Sequence, residues 1–319
     1  MRNAFFGIVL TAAAMVVQAQ NEKVTYLLPA PAFLPAFGPW MLAQARGYYA
    51  QEGLEVNFIA AKGGVDVAVQ VGAGNAPIGG AIGDTPIIAR AQGVPVKAVA
   101  LLGGKSLMQL VVHDGKGING PKDLKGRTIT TMAYQDTTFY ALLGMLATAG
   151  LNKGDVEAQA AGPAGVWQLF AAGKADAMAA VPDWIPQAKD AGAKVKIFSS
   201  DDYFKSMAQA ILASEDTIQK RPELVKKLVR ATLKGMQDIM KDPKSAAADY
   251  TKAVKQHAGK EGYIEEVFTL YNQYVYPGQK VLGQMDPERL AAVQKFYLKQ
   301  GIVQKETPLA ELYTNQFVQ

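Results

Sequence analysis

The sequence predicts an α/β protein made of two lobes, each a sheet flanked by helices. Short apolar segments alternate with segments of helical period along the first two thirds of the chain, which favours α/β units around mostly parallel strands. The length of 319 residues suits about two domains. A middle block of about 100 residues is large enough to form its own core.

The first block supplies the alternation for one lobe. Leu54, Val56 and Phe58 are apolar at period two, the pattern of a half-buried strand. Pro39 stands near the start of a helix, where its missing N–H does no harm. We predict strands at 24–28, 54–58, 76–82 and 94–102, and helices at 39–50, 65–71 and 85–92.

The middle block shows the same alternation of strands and helices, whereas the last third is predicted to be almost entirely helical. We predict strands at 127–132, 156–159, 175–181 and 194–198, and helices at 136–149, 164–172 and 185–191. After a strand at 208–213, the period is almost entirely helical, beginning with an amphipathic helix at 224–239.

Two short segments, 110–113 and 210–213, are predicted to cross between the lobes. Lobe 1 would then comprise residues 20–112 and 210–319, and lobe 2 would be the insertion 113–209.

The first nineteen residues have the features of a targeting segment. Arg2 is the only charge before Glu22, residues 4–17 are apolar, and Ala19 ends a small-residue cleavage site. This pattern predicts a cleavable secretory signal peptide, because the apolar run is shorter than the ~20 residues that span a bilayer. No Cys follows to carry a lipid. We expect an unanchored protein in the periplasm of a Gram-negative bacterium.

Composition excludes several classes. Hydrophobic residues make up 49% and charged residues 19%, which excludes a disordered chain. The absence of Cys excludes disulfide scaffolds, zinc–thiolate sites, iron–sulfur clusters and cysteine nucleophiles. The net charge of +5 is spread along the chain, without the basic stripe of a nucleic-acid-binding protein. His113 and His257 lack ligand-spaced partners, so we expect no metal and no cofactor.

Four segments resemble a known family. They are residues 39–56 (PWMLAQARGYYAQEGLEV), 82–96 (IGDTP followed by ARAQGVPV), 120–127 (GPKDLKGR) and 169–177 (LFAAGKADA). Their order resembles the solute-binding proteins of ABC importers that handle nitrate, taurine, alkanesulfonates and the pyrimidine precursor of thiamine.

The resemblance implies the two-lobed, type II periplasmic binding protein fold and capture of a solute between the lobes. It also implies delivery to an inner-membrane ABC permease with its ATPase, and no reaction on the solute. We expect a monomer. The last 80 or so residues carry no usable part of the resemblance.

Candidate binding residues lie where predicted strands end, because ligands of open α/β sheets sit beyond those ends. Three loops each carry an Asp at the start of a helix, and aromatic residues follow the first strand. The candidates are Phe37, Trp40, Gly83, Asp84, Thr85, Tyr134, Asp136, Thr137, Thr138, Asp183 and Trp184. The alternative roles are helix capping for the Asp and Thr residues and core packing for Phe37 and Trp40.

The three carboxylates indicate the ligand's chemistry. No Lys or Arg occupies the same loop positions as Asp84, Asp136 and Asp183, and a carboxylate buried beside an anion would be destabilising. We therefore favour a ligand that donates hydrogen bonds, such as an aminopyrimidine, stacked on an aromatic ring. The rival is a sulfonate, nitrate or aromatic carboxylate held by free amides at Thr137 and Thr138.

An enzyme is the other alternative. The three Asp residues are the only candidates for acid–base chemistry, and no G-x-S-x-G motif is present. Fungal pyrimidine synthases resemble the same fold but depend on a Cys-rich motif and a His, and this chain has no Cys. We expect no catalytic residues.

Overall fold

The computed structural model describes residues 20–318, so the predicted signal peptide lies outside the described residues. The strands are β1 Glu22–Leu28, β2 Leu54–Ala60, β3 Ile78–Ile82, β4 Val96–Leu102, β5 Gln109–His113, β6 Thr128–Thr131, β7 Glu157–Ala160, β8 Ala177–Ala180, β9 Val195–Ser199 and β10 Gln209–Ser214.

The helices complete the α/β alternation and then form the C-terminal third. They are α1 Gly38–Ala45, α2 Tyr48–Gln51, α3 Gly64–Gly72, α4 Thr85–Ala91, α5 Thr137–Thr148, α6 Gly162–Ala171, α7 Trp184–Asp190, α8 Glu215–Lys220, α9 Pro222–Lys241, α10 Pro243–Ala253, α11 Glu261–Tyr274, α12 Pro287–Lys299 and α13 Leu309–Leu312. Among residues 20–318, no helix combines the length and apolar character that crossing a bilayer requires.

Two five-stranded mixed sheets organise the molecule, which confirms the predicted fold class. The first has the order β2-β1-β3-β10-β4 and the second the order β7-β6-β8-β5-β9. We call the first sheet with its helices lobe 1, and the second with its helices lobe 2. The division into two domains with the boundaries given above stays a prediction.

One strand in each sheet opposes its neighbours. β10 is antiparallel to β3 and β4, and β5 is antiparallel to β8 and β9. Each is the strand that the chain forms on arriving from the other lobe. A strand that enters a sheet at the edge where its neighbours end must run against them, so the crossovers account for the mixed sheets.

The predicted helix over 39–50 is two helices. Gly47, between α1 and α2, has φ 70°, a left-handed conformation that breaks the helical hydrogen-bond pattern and that glycine adopts without steric cost.

The first crossover lies earlier than the sequence suggested. Residues 110–112 pair with both β8 and β9 in the second sheet, so the connecting segment is 103–108. The prediction is wrong here because a short apolar run has the same pattern in a connection as in a central strand. The second predicted crossover, 210–213, is likewise part of a strand, because it pairs with β3 and β4 in the first sheet, and the second connection is 200–208. The two segments are hydrogen-bonded to each other, since the amide of Leu107 donates to the carbonyl of Met207 at 3.1 Å.

A buried ion pair fastens the crossovers to the C-terminal helices. The Arg289 guanidinium, on α12, donates to both carboxylate oxygens of Asp201 at 2.8 Å and to the carbonyl of Ser206 at 2.8 Å. Asp201 also accepts from the amide and hydroxyl of Ser106, each at 2.7 Å. Burial alone would raise the pKa of Asp201, but the hydrogen bonds from Arg289 and Ser106 outweigh it and hold the pKa below its usual value.

The first crossover also lies against the loop between α11 and α12. The amides of Gly104 and Lys105 donate to the carbonyls of Tyr276 and Val275 at 3.3 and 3.0 Å. A Cβ at Gly104 would lie 2.6 Å from the carbonyl oxygen of Pro277, so the approach requires glycine. The C-terminal third therefore holds both connections.

Close packing of α9 on α1 gives a test of the fold. A Cβ at Gly235 would lie 2.2 Å from the carbonyl oxygen of Pro39, whereas one at Gly262, in α11, would meet nothing within 4 Å. We expect Gly235→Ala to lower the free energy of unfolding by about 1–3 kcal/mol and Gly262→Ala to raise it by up to about 1 kcal/mol. Urea unfolding followed by circular dichroism measures both, and equal stability of the two variants would contradict this packing.

Candidate functional site

The site lies at the edges where the parallel strands of both sheets end. In lobe 1, Ile82 at the end of β3 pairs with Gln209 at the start of β10. In lobe 2, Ala180 at the end of β8 pairs with Gln109 at the start of β5. The crossovers leave and enter the sheets at these two edges, so the edges are neighbours. Ligands of α/β proteins bind at such strand ends, and pockets favour the boundary between lobes.

Asp84 follows β3 and is buried, with a relative exposure of 1%. Its Oδ2 accepts a hydrogen bond from the Tyr297 hydroxyl at 2.7 Å, while Oδ1 is buried without a partner. Burial raises the pKa of Asp84 to about 7, the Tyr297 hydrogen bond opposes the rise, and nearby Asp136 adds to it. The side chain does not cap α4, so the capping role is wrong for this carboxylate.

Three more polar atoms at the two edges are buried and have no hydrogen-bond partner within residues 20–318. They are the hydroxyls of Thr85 and Thr131 and the amide oxygen of Gln109. Thr85 follows Asp84 in lobe 1, whereas Thr131 and Gln109 occupy ends of β6 and β5 in lobe 2. Gln109 donates its own amide to the carbonyl of Ser106 at 2.9 Å, so its oxygen is the free acceptor. Each such atom is destabilising until a partner satisfies it.

The start of α5 is already capped. The Thr138 amide and hydroxyl both donate to Asp136 Oδ1, the amide at 2.9 Å. Thr137 and Thr138 are buried. Burial raises the pKa of Asp136, against the hydrogen bonds from Thr138. A carboxylate therefore takes the Thr138 amide that an anionic ligand would need.

Asp183, in lobe 2, lies against the C-terminal helix α11, and Trp184 follows it as the first residue of α7. The Asp183 carboxylate accepts from the Tyr271 hydroxyl at 3.4 Å, and the Asp183 carbonyl accepts from the Tyr263 hydroxyl at 3.2 Å. Both tyrosines belong to α11. Burial raises the pKa of Asp183 to about 6, and hydrogen bonds from its backbone and Tyr271 oppose the rise. Trp184 is 6% exposed and lies in a buried cluster that continues into lobe 1.

Phe37 and Trp40 pack inside lobe 1. Trp40 is fully buried, and its indole N–H donates to the Tyr26 hydroxyl at 2.7 Å. Phe37 meets the Trp40 ring edge-on, with centroids 6.0 Å apart. A Cβ at Gly80 would lie 3.3 Å from the indole, so this ring is enclosed by the sheet. Contact of either residue with a ligand stays a prediction.

The two remaining candidates are Gly83, which is buried, and Tyr134, which is exposed. The Gly83 amide donates to the Ala208 carbonyl at 2.8 Å, so this glycine holds the second crossover beside Asp84. Tyr134 is 45% exposed and donates its hydroxyl to the Ala158 carbonyl at 3.0 Å. Lys153 lies 4.8 Å above its ring.

Sequence reasoning missed the tyrosines that partner the carboxylates. Tyr297 and Tyr271 are on C-terminal helices, and their apolar-face spacing is typical of core residues. Tyr140, on α5, meets Tyr297 edge-on with centroids 5.4 Å apart. No local signal joins residues that are more than 80 positions apart along the chain, as these pairs are.

The electrostatics of the site are acidic. Burial raises the pKa values of Asp84 and Asp183, and Asp136 adds to the rise at Asp84, while hydrogen bonds from tyrosines and backbone amides oppose it. No Lys, Arg or His of residues 20–318 is among those causes. The arrangement offers oxygen acceptors and hydroxyls, which suit hydrogen-bond donors.

Solved structures share this architecture. The alkanesulfonate-binding protein SsuA of Xanthomonas axonopodis pv. citri, bound to MOPS, aligns with a TM-score of 0.72 at 18% identity, over 93% of this chain and 99% of that one. The periplasmic aliphatic sulphonate-binding protein SsuA of Escherichia coli aligns with a TM-score of 0.71 at 16% identity, over 94% of each chain. At these identities the likeness shows the fold alone, which is that of periplasmic binding proteins.

The family is shown by sequence. The family model described as "NMT1/THI5 like" matches residues 34–246, or 213 of the 319 residues, and the chain belongs to this family. The riboflavin-binding protein RibY of Chloroflexus aurantiacus is 27% identical over 292 residues, covering 88% of this chain and 82% of RibY. A 4-amino-5-hydroxymethyl-2-methylpyrimidine phosphate synthase of Schizosaccharomyces pombe is 35% identical over 112 residues, about a third of either chain.

The raised pKa of Asp84 predicts a pH dependence of stability. The folded state keeps a proton on Asp84 up to about pH 7, whereas the unfolded state loses it near pH 4. The contribution of protonated Asp84 to the free energy of unfolding is therefore complete below pH 4 and is lost as the pH rises to about 7. We expect Asp84→Asn to remove a slope of up to about 1.4 kcal/mol per pH unit across that window.

Denaturant unfolding of both proteins at pH 4 to 8, without ligand, measures the difference. Asp183 is unchanged in the variant, so its titration cancels, and the difference curve reports Asp84 together with its charge interaction with Asp136. Parallel curves for the two proteins would contradict the assignment.

Proposed function

We propose that this protein is the solute-binding component of an ABC importer, exported to the periplasm and free of a lipid anchor. It holds a small polar or heterocyclic solute between its lobes and delivers it unaltered to an inner-membrane permease with its ATPase. An aminopyrimidine-like thiamine precursor is the favoured solute. The family and the fold support a binding role, and the following observations support the solute's chemistry.

The unpartnered atoms at the facing edges carry the proposal. Asp84 Oδ1 and Gln109 Oε1 are acceptors, and the hydroxyls of Thr85 and Thr131 can accept or donate. Two of these atoms come from each lobe. A solute with several N–H or O–H groups would satisfy them together, and it would do so best when the lobes are closed. That difference in affinity is what shifts a hinge equilibrium.

The charges disfavour the rival anionic solutes: alkanesulfonate, taurine, nitrate and aromatic acids. Asp84 and Asp136 each raise the free energy of a nearby anion, and Asp136 accepts from the Thr138 amide. The SsuA proteins named above share the fold, but this chain's buried edge offers acceptors where a sulfonate needs donors.

Two relatives suggest solutes for a trial. The name of RibY specifies riboflavin, whose imide N–H and sugar hydroxyls are donors. The name of the yeast relative specifies an aminopyrimidine phosphate product. The synthases among the relatives keep open an enzyme that uses Asp carboxylates, although this chain has no Cys.

Calorimetric titration of the mature protein, from Gln20 onward, tests the proposal. The panel is 4-amino-2-methylpyrimidine, riboflavin, taurine and ethanesulfonate. We expect the aminopyrimidine or riboflavin to bind with a dissociation constant between micromolar and nanomolar, about −8 to −12 kcal/mol, and to be recovered unchanged. Binding of the sulfonates alone would overturn the solute class, and turnover of a bound compound would overturn the transport role.

Thr131 and Thr130 provide a matched pair on β6. The Thr131 hydroxyl is buried without a partner, whereas the Thr130 hydroxyl donates to the Val166 carbonyl at 2.9 Å. We expect Thr131→Val to raise the melting temperature without ligand and to weaken solute binding about tenfold, as a lost hydrogen bond of about 1.4 kcal/mol would. Thr130→Val should lower the melting temperature and leave affinity unchanged.

Thermal unfolding and the same titration measure both effects. The opposite signs of stability and affinity for Thr131→Val distinguish a binding role from packing. Loss of stability in both variants with equal affinity would contradict the site.

A further inference from the structure

Tyr297 connects the C-terminal helices to the candidate site. It lies on α12 and is 1% exposed, and its hydroxyl donates to Asp84 Oδ2 at 2.7 Å. Burial raises the pKa of Tyr297 well above its ordinary value, so the hydroxyl stays protonated and acts as the donor. The Asp84 carboxylate is thereby held with Oδ2 occupied and Oδ1 free.

The same ring is in contact with lobe 2. Tyr140, on α5, packs edge-on against Tyr297 with centroids 5.4 Å apart and ring planes at 69°. Tyr140 follows Asp136 by one helical turn, and Asp136 is the carboxylate whose charge reaches Asp84. Tyr297 therefore contacts both the group that would bind the solute and α5, the helix of lobe 2 that begins beside Asp136.

We infer that Tyr297 is a positioning residue for solute recognition: its hydroxyl orients Asp84 so that Oδ1 points toward the solute. Through its ring contact with Tyr140, Tyr297 also couples this orientation to closure of lobe 2. The inference rests on the proposed function. Tyr297 itself contributes no free polar atom, because its hydroxyl is bound to Asp84. Its effect on affinity acts through Asp84 and through the ring contact between lobes.

Loss of the Tyr297 hydroxyl, the donor to Oδ2, has two consequences for Asp84. Asp84 is free to rotate, so Oδ1 is aimed at the solute for only part of the time. The pKa of Asp84 also rises, because the Tyr297 hydrogen bond is the main opponent of burial. The charged and titratable groups facing Asp84 are Tyr297 from α12 and Asp136 from the start of α5, with Tyr140 beyond Tyr297. None of them can replace the lost donor at Oδ2.

Tyr297→Phe tests the inference, with Tyr49→Phe as its control. Tyr49 is also a buried tyrosine of lobe 1 whose hydroxyl is hydrogen-bonded, to Thr232 at 2.7 Å. The probe is 4-amino-2-methylpyrimidine, or riboflavin if that is the compound bound by the wild-type protein. We expect Tyr297→Phe to weaken binding at least tenfold at pH 7.5 and Tyr49→Phe to leave affinity within twofold.

The pH profile separates positioning from packing. A solute that donates to Asp84 binds the ionised carboxylate, so affinity falls as the pH drops through the pKa of Asp84. We expect the midpoint of that fall to lie at higher pH in Tyr297→Phe than in the wild type and to be unchanged in Tyr49→Phe. In ligand-free unfolding, the pH window assigned to Asp84 should likewise extend above pH 7 in Tyr297→Phe alone.

The outcomes are distinct for the two proposals. If the wild-type protein binds no compound of the panel, the proposed function fails, and the inference that rests on it falls as well. If the wild-type protein binds but Tyr297→Phe matches it in affinity and in pH midpoint, the proposed function stands and the positioning role is overturned. If Tyr297→Phe and Tyr49→Phe weaken binding equally with unchanged midpoints, the effect is one of packing and the inference is wrong.

Discussion

The structure depends on how two short crossovers are held. Asp201 accepts from Ser106 on one crossover and from Arg289 on α12, and Arg289 also binds the carbonyl of Ser206 on the other. Both members of the ion pair are largely buried, at 8% and 14% side-chain exposure. A buried charge is tolerated when it is paired and hydrogen-bonded, and removal of either partner would leave the other uncompensated. This pairing therefore links both connections between the sheets to α12.

Around the site, the protein keeps polar groups that its own fold does not satisfy. Asp84, Thr85, Gln109 and Thr131 each leave an oxygen buried without a partner. Folding that conceals such atoms is less favourable than folding that pairs them. Sites of function are where such local conflicts are expected. The buried carboxyl groups of Asp84 and Asp183 are a second conflict of this kind, because burial raises the pKa of both.

Local sequence signals locate most of the predicted strands and helices but not the residues that they contact. Period-two runs such as 54–58 became strands, and the glycine at position 53 ended a helical segment as expected. The three Asp-bearing loops were located because a strand end followed by a helix start is a local pattern. The segment 110–112 was misassigned because an apolar run does not reveal whether it pairs within a sheet or connects two.

The contacts that give these loops their chemistry are long-range. Tyr297 lies 213 positions from Asp84, and Tyr271 lies 88 positions from Asp183. Both are spaced like core residues of amphipathic helices, so nothing local distinguishes them from packing. The last 80 or so residues, which carry no usable part of the family resemblance, supply the contacts to lobe 2 and to both crossovers.

The position of Trp184 has a practical consequence. Of the three tryptophans, Trp40 is enclosed in lobe 1 and Trp167 is partly buried on α6, while Trp184 is the buried first residue of α7, a helix of lobe 2 that contacts α11. If the lobes separate at the contact between α7 and α11, the surroundings of Trp184 change, while Trp40 stays enclosed in lobe 1. Tryptophan fluorescence would then report such a movement without an attached dye.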